Sequence, residues 1–174
     1  MLVTLLLIAS PAWADGFEVL RAQTHLVDGV YRLNAEIEFG FSEVALEALH
    51  NGVPLTIELE IEVFRERDWL WDETVASLQQ WLRLEYHALA RQYVVTNLNS
   101  GDHKAFPTLQ AATDFLGRVQ EFPLLDRSLV ERGGAYYARL RASLDIESLP
   151  APLRPVAYLS GDWRLASEWY QWRL

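Results

Sequence analysis

The residues best placed for chemistry in this 174-residue chain are carboxylates at alternate positions. Glu58, Glu60 and Glu62 punctuate "LTIELEIEVF", and Glu36 and Glu38 do the same in "VYRLNAEIEF". On a strand, that spacing puts each set on one face. Carboxylates so arranged bind a cation, dock a basic partner or solvate a sheet, and the last use is expected here. Like charges directly opposite one another across strands are destabilising. The triple-Glu strand must therefore lie beside cations, and Arg139 and Arg141 of "YYARLRASL", or Arg83, alternate correctly for the task.

Other chemistry is scarce. His25, His50, His87 and His103 stand singly, without metal-ligand spacing, and read as surface residues. There is no G-x-S-x-G, no glycine-rich phosphate loop, no H-E-x-x-H and no EF-hand loop. With no cysteine, disulfides, thiol nucleophiles, thiolate metal sites and cysteine-linked lipid are excluded. The expectation is a non-enzymatic chain with no catalytic residue, no cofactor and no metal. A net charge of -9 argues against nucleic acid as a partner, because phosphate contacts need a basic patch.

Aromatic residues supply the alternative to catalysis. Trp69 and Trp71 sit among Arg65, Arg67, Asp68 and Asp72. Tryptophan and arginine are enriched in interface hot spots, so this link reads either as an exposed recognition loop or as a turn with one indole tucked under the sheet. The C-terminal "WRLASEWYQW" divides by parity if it is one strand. Trp163, Leu165, Ser167 and Trp169 would then face the core, and Tyr170 and Trp172 would offer an exposed contact. On that division, Trp163→Ala and Trp169→Ala cost about 3–5 kcal/mol each, and Trp172→Ala costs almost nothing.

The elements that must position these residues are mainly strands. Period-2 alternation marks residues 17–39 as a hairpin turning at Asp28-Gly29, and marks "LTIELEIEVF", "WLRLEYHALA", "RQYVVTNL" and "AYYARLRASLDI" as further strands. Ser42 caps one short helix that Asn51-Gly52 stops, and Thr108 opens a second. Pro150, Pro152 and Pro155 exclude regular structure through "SLPAPLRP". The fold class is mostly β: an antiparallel β-sandwich, immunoglobulin-like in broad architecture, with two short helices.

"MLVTLLLIASPAWADG" combines a short apolar run with Ala12-Trp13-Ala14, the small-residue pattern of a signal-peptidase site. The run is shorter than the ~20 residues of a membrane span. Residues 1–14 therefore read as a signal peptide and 15–174 as a single β-rich domain, periplasmic, with no integral membrane segment after cleavage.

The stretches "YHALARQYVVTNL", "FPTL", "LRPVAYLS" and "DWRLASEWYQW" occur in order across nearly all of the expected domain. Together they resemble the proteobacterial exported family called domain of unknown function 4390, whose members are sometimes labelled proline-rich signal-peptide proteins. The resemblance implies a small exported protein, brings no catalytic residues, and points to an accessory role near a two-component sensor kinase. The expected function is thus a periplasmic binding or accessory protein contacting an envelope sensor or another membrane-protein partner. The alternative is a carrier holding a small ligand or lipid in an aromatic-lined cavity.

Overall fold

Two antiparallel sheets face each other across one apolar core. The computed structural model describes residues 16–67, 69 and 71–174. The expected signal peptide, 1–14, lies outside the described residues. The first sheet has the order β1-β2-β7, formed by β1 (Gly16–Val27), β2 (Val30–Gly40) and β7 (Arg118–Asp126). The second has the order β6-β5-β4-β3-β8-β9. Its strands are β3 (Leu55–Arg65), β4 (Glu73–His87), β5 (Gln92–Asn97), β6 (His103–Phe106), β8 (Tyr136–Leu144) and β9 (Tyr170–Arg173). The result is a mostly-β sandwich, as the alternation predicts.

Asp28 and Gly29 both have positive φ (50° and 81°), the conformation of the two-residue type I′ turn that suits the twist of a hairpin. Leu33, Ala35, Ile37 and Phe39 of β2 face Ile57, Leu59, Ile61 and Val63 of β3 across the core, and all are buried. Burying each of the larger ones, all but Ala35, contributes about 1.5–3 kcal/mol. The small residues Ala138 and Ala142 alternate with Leu140 and Leu144 on β8, leaving room for β1 to pack against it.

Helices close the open ends. In α1 (Glu43–His50), the Ser42 hydroxyl accepts from the Ala45 N–H at 3.1 Å and donates to the Asp162 carbonyl at 2.7 Å. One buried hydroxyl therefore caps α1 and ties it to the C-terminal segment. Thr108 caps α2 (Leu109–Leu116). The next residue, Gly117, accepts a hydrogen bond from the Ile37 N–H, and a Cβ there would lie 2.1 Å from the Ile37 oxygen. Only glycine permits that approach of helix end to sheet.

Three details differ from the sequence expectation. A third helix, α3 (Arg154–Leu159), follows the proline run. Pro155 lies in its first turn, where the missing N–H has no helical partner to lose. β4 begins at Glu73, before any strong strand signal, because β3 pairs with it as far as Arg65↔Glu73. Residues 88–91 form a turn, with Arg91 at φ 51°, and do not continue the strands on either side.

A fourth difference concerns the tryptophan-rich end. Ser143 bridges Ala166, but Leu140 pairs with Tyr170 and Ala138 with Trp172, so one extra residue enters between the two contacts. A one-residue insertion flips the faces of everything beyond it. Trp163, Leu165 and Ser167 are buried as the parity requires, whereas in β9 it is Tyr170 and Trp172 that pack on the core. Ser167 anchors the slip: its N–H donates to the Ala142 carbonyl and its hydroxyl accepts from the Ala142 N–H.

Candidate functional site

The outer face of the larger sheet carries the glutamate triplet, and two of the three carboxylates are paired with arginine. Glu60 lies opposite Arg141 and Glu62 opposite Arg139, with N···O distances of 2.7 and 2.6 Å. Trp169, expelled from the core by the slip, lies over both guanidinium groups, its ring centroid 4.3 Å from Arg139 and 5.0 Å from Arg141. Phe64 takes the other side of Arg139 at 4.7 Å. Cation–π contacts of this kind contribute about 0.5–2 kcal/mol. Glu58 has no cation opposite it: Trp81 and Ser143 are its neighbours in register. Burial, followed by the charges of Glu60 and Asp145, pushes its carboxyl above the ordinary value. This face is a structural charge ladder.

The histidines do not assemble a metal site; among the described residues no group of three or more His, Cys, Asp or Glu side chains converges. His50 Nε2 and the Tyr93 hydroxyl are 2.7 Å apart, beside Tyr86. Burial, and then Tyr86, raises the Tyr93 pKa. His25 lies 3.0 Å from Glu121, whose positive φ of 52° marks an irregularity in β7. Arg32 donates to the Glu121 backbone carbonyl, and the Asn34 side-chain Oδ1 accepts from the Glu121 N–H. These bonds hold the strained residue in place.

The β3–β4 hairpin tip is built differently. Trp69 is 95% and Trp71 93% exposed, so neither indole tucks under the sheet. Beneath them the backbone is braced. Arg67 pairs with Glu73, and its N–H donates to Asp72. Asp72 accepts from the Tyr137 hydroxyl at 2.8 Å, and Tyr137 stacks on Phe64. Burial, with the Asp72 hydrogen bond second, raises the Tyr137 pKa, so the hydroxyl stays a donor at neutral pH. Arg65 bridges Glu131 at 2.6 Å and Arg173 approaches Glu66 at 3.6 Å. The arginines are paired with carboxylates, so the tip presents apolar rings above closed ion pairs.

The four aromatic residues marked as contacts in the sequence thus fall in two places. Trp69 and Trp71 form the tip. Tyr170 and Trp172 are half-buried against the core on β9, the face opposite to the one their parity suggested. The signal missed in the sequence is a groove of about 1220 Å³ over the start of β1 and the end of β2. Phe17, Phe39 and Phe41 form its buried floor, packed edge-on and stacked at centroid distances of 4.8–6.3 Å. Leu109, Gln110 and Thr113 of α2 line it too, as do Ala166, Glu168, Trp169 and Tyr170. The groove is partly open to solvent. No periodicity announces it, because its walls come from four distant segments.

The model of the family described as Domain of unknown function (DUF4390) matches residues 14–173, and the chain belongs to that family. No curated protein and no solved structure matches the chain.

Proposed function

We propose that this member of the family is an exported, non-enzymatic binding or accessory protein of the Gram-negative periplasm, docked through Trp69 and Trp71 onto an envelope-protein partner such as the extracytoplasmic part of a sensor. The observation that carries the reading is the near-complete exposure of two adjacent indoles on a hairpin whose base is fixed by ion pairs. Exposed tryptophan is costly to solvate and supplies large contact area with few rotamers to order. The leader-like residues 1–14 support export, and the motif-free sequence supports binding over catalysis. Carriage of a small ligand or lipid has the weaker support, since the groove is only half-enclosed and a carrier buries most of its cargo.

The test places a photo-reactive amino acid at Trp71 in the host and irradiates intact cells. A discrete crosslinked envelope protein, lost when Trp69 is also changed to Ala, is expected. An adduct pattern identical to that from an exposed control position, Leu129, would overturn the reading, as would recovery of the protein in the cytoplasmic fraction.

A further inference from the structure

The four sheet edges are not equally protected. An exposed edge offers unpaired N–H and C=O groups to any extended chain, and proteins blunt such edges with short strands, charge, proline and bulges. β6 and β9 have four residues each, with Lys104 on one and Arg173 on the other. β7 carries Pro123 and two register irregularities. β1 is twelve residues long, with no proline, and its cations Arg21 and His25 and its one irregularity all lie beyond Val19. Its first segment runs regularly over Gly16–Val19 up to the irregularity at Leu20, and Gly16–Leu20 lines the groove together with Ala166, Glu168, Trp169 and Tyr170.

The charge there is equally one-sided. Glu18 stands directly opposite Glu38 in register, the destabilising like-charge arrangement. Of the other strand carboxylates, Glu36 is answered by Arg21, Glu60 by Arg141 and Glu62 by Arg139. Glu18, Glu38 and Glu168 all line the groove, and no Lys, Arg or His lines it with them. None of the three takes part in an ion pair among the described residues. The sequence before Gly16 contains no Lys, Arg or His either.

We infer that this groove is a strand-addition site for an extended basic peptide segment, which pairs with the free edge of β1 at Gly16–Leu20 and sets its cations among Glu18, Glu38 and Glu168. Five residues of strand span about 17 Å, so the recognised core is roughly five residues, with cations at alternate positions. Main-chain bonds supply affinity, and the three carboxylates supply the preference for positive charge. The site is separate from the hairpin tip, so the two proposals stand or fall independently.

The probe is a blocked heptapeptide alternating lysine with threonine and valine, titrated into the full domain with backbone amide NMR as the readout. Saturable shifts confined to Gly16–Leu20 and the Ala166–Tyr170 wall are expected, with slower amide exchange on β1. A peptide with glutamate in place of lysine should bind at least tenfold more weakly, as should one with proline at its centre. The double variant Glu18→Gln/Glu38→Gln should fold with an unchanged or raised Tm and lose about tenfold in affinity for the lysine peptide. Equal binding of the lysine and glutamate peptides overturns the charge assignment. Equal binding of the proline peptide overturns strand addition, and the absence of saturable shifts at millimolar lysine peptide overturns the site itself.

Discussion

The two tryptophan-rich regions of the chain, Trp163 to Trp172 and Trp69 with Trp71, use the same side chain in opposite ways. At the C-terminal end every indole has a place. Trp163 is buried, Trp169 covers two arginines, and Trp172 packs half-buried on the core. At the hairpin tip the backbone is secured and the indoles are left out. Local tryptophan density therefore does not reveal use; what separates the regions is whether strand pairing carries the ring over a neighbour.

That contrast breaks if stability does not follow the placement. The largest loss is expected for Trp163→Ala, about 3–5 kcal/mol, as for other buried aromatics; chemical denaturation measures it. Trp169→Ala should come next, at about 0.5–2 kcal/mol from lost cation–π contact. Its loss should be non-additive with Arg139→Ala in a double-mutant cycle, since the two touch. Trp69→Ala and Trp71→Ala should each stay within about 0.5 kcal/mol of the parent, because exposed positions rarely contribute more, while the crosslinked partner is lost. A tip variant that unfolds the domain would erase the distinction.

The smallest expected effect sharpens the comparison from the outer face. Glu58 has its pKa raised from 4.5, chiefly by burial, so the folded chain binds that proton more readily than the unfolded chain. Stability from this group is greatest at low pH and falls as pH rises through the raised value. Glu58→Gln should accordingly raise Tm slightly at pH 7 and leave it unchanged near pH 3, read by thermal melts across that range.

How much of this was legible in the sequence follows from the range of the forces involved. The 17–39 hairpin, both capped helices and the Glu60–Arg141 and Glu62–Arg139 pairs are written in local alternation and turn residues, and the structure contains each of them. The parity of Trp169, Tyr170 and Trp172 was misread because a single inserted residue leaves no compositional mark. It arises from the Ser167–Ala142 bonds, a contact across 25 positions. Likewise the groove depends on β1, β2, α2 and the 166–170 segment meeting, which no window of sequence displays. The exposed tip was half-legible: the charges flanking Trp69 and Trp71 were visible, and their pairing to Glu73, Tyr137 and Glu131 was not.

The slip near Ser167 makes the chain's length, as well as its composition, a determinant of this end. Substitutions at Glu168 should be absorbed, because its side chain is exposed. Deleting that one residue would bring the Ser143–Ala166 bridge and β9 into a single register. The terminal strand would become longer and more regular, and the span that lets Trp169 reach Arg139 and Arg141 would be lost. In this segment a gain in secondary structure would accompany a loss of tertiary contact, so tolerance to replacement and tolerance to shortening should diverge most sharply here.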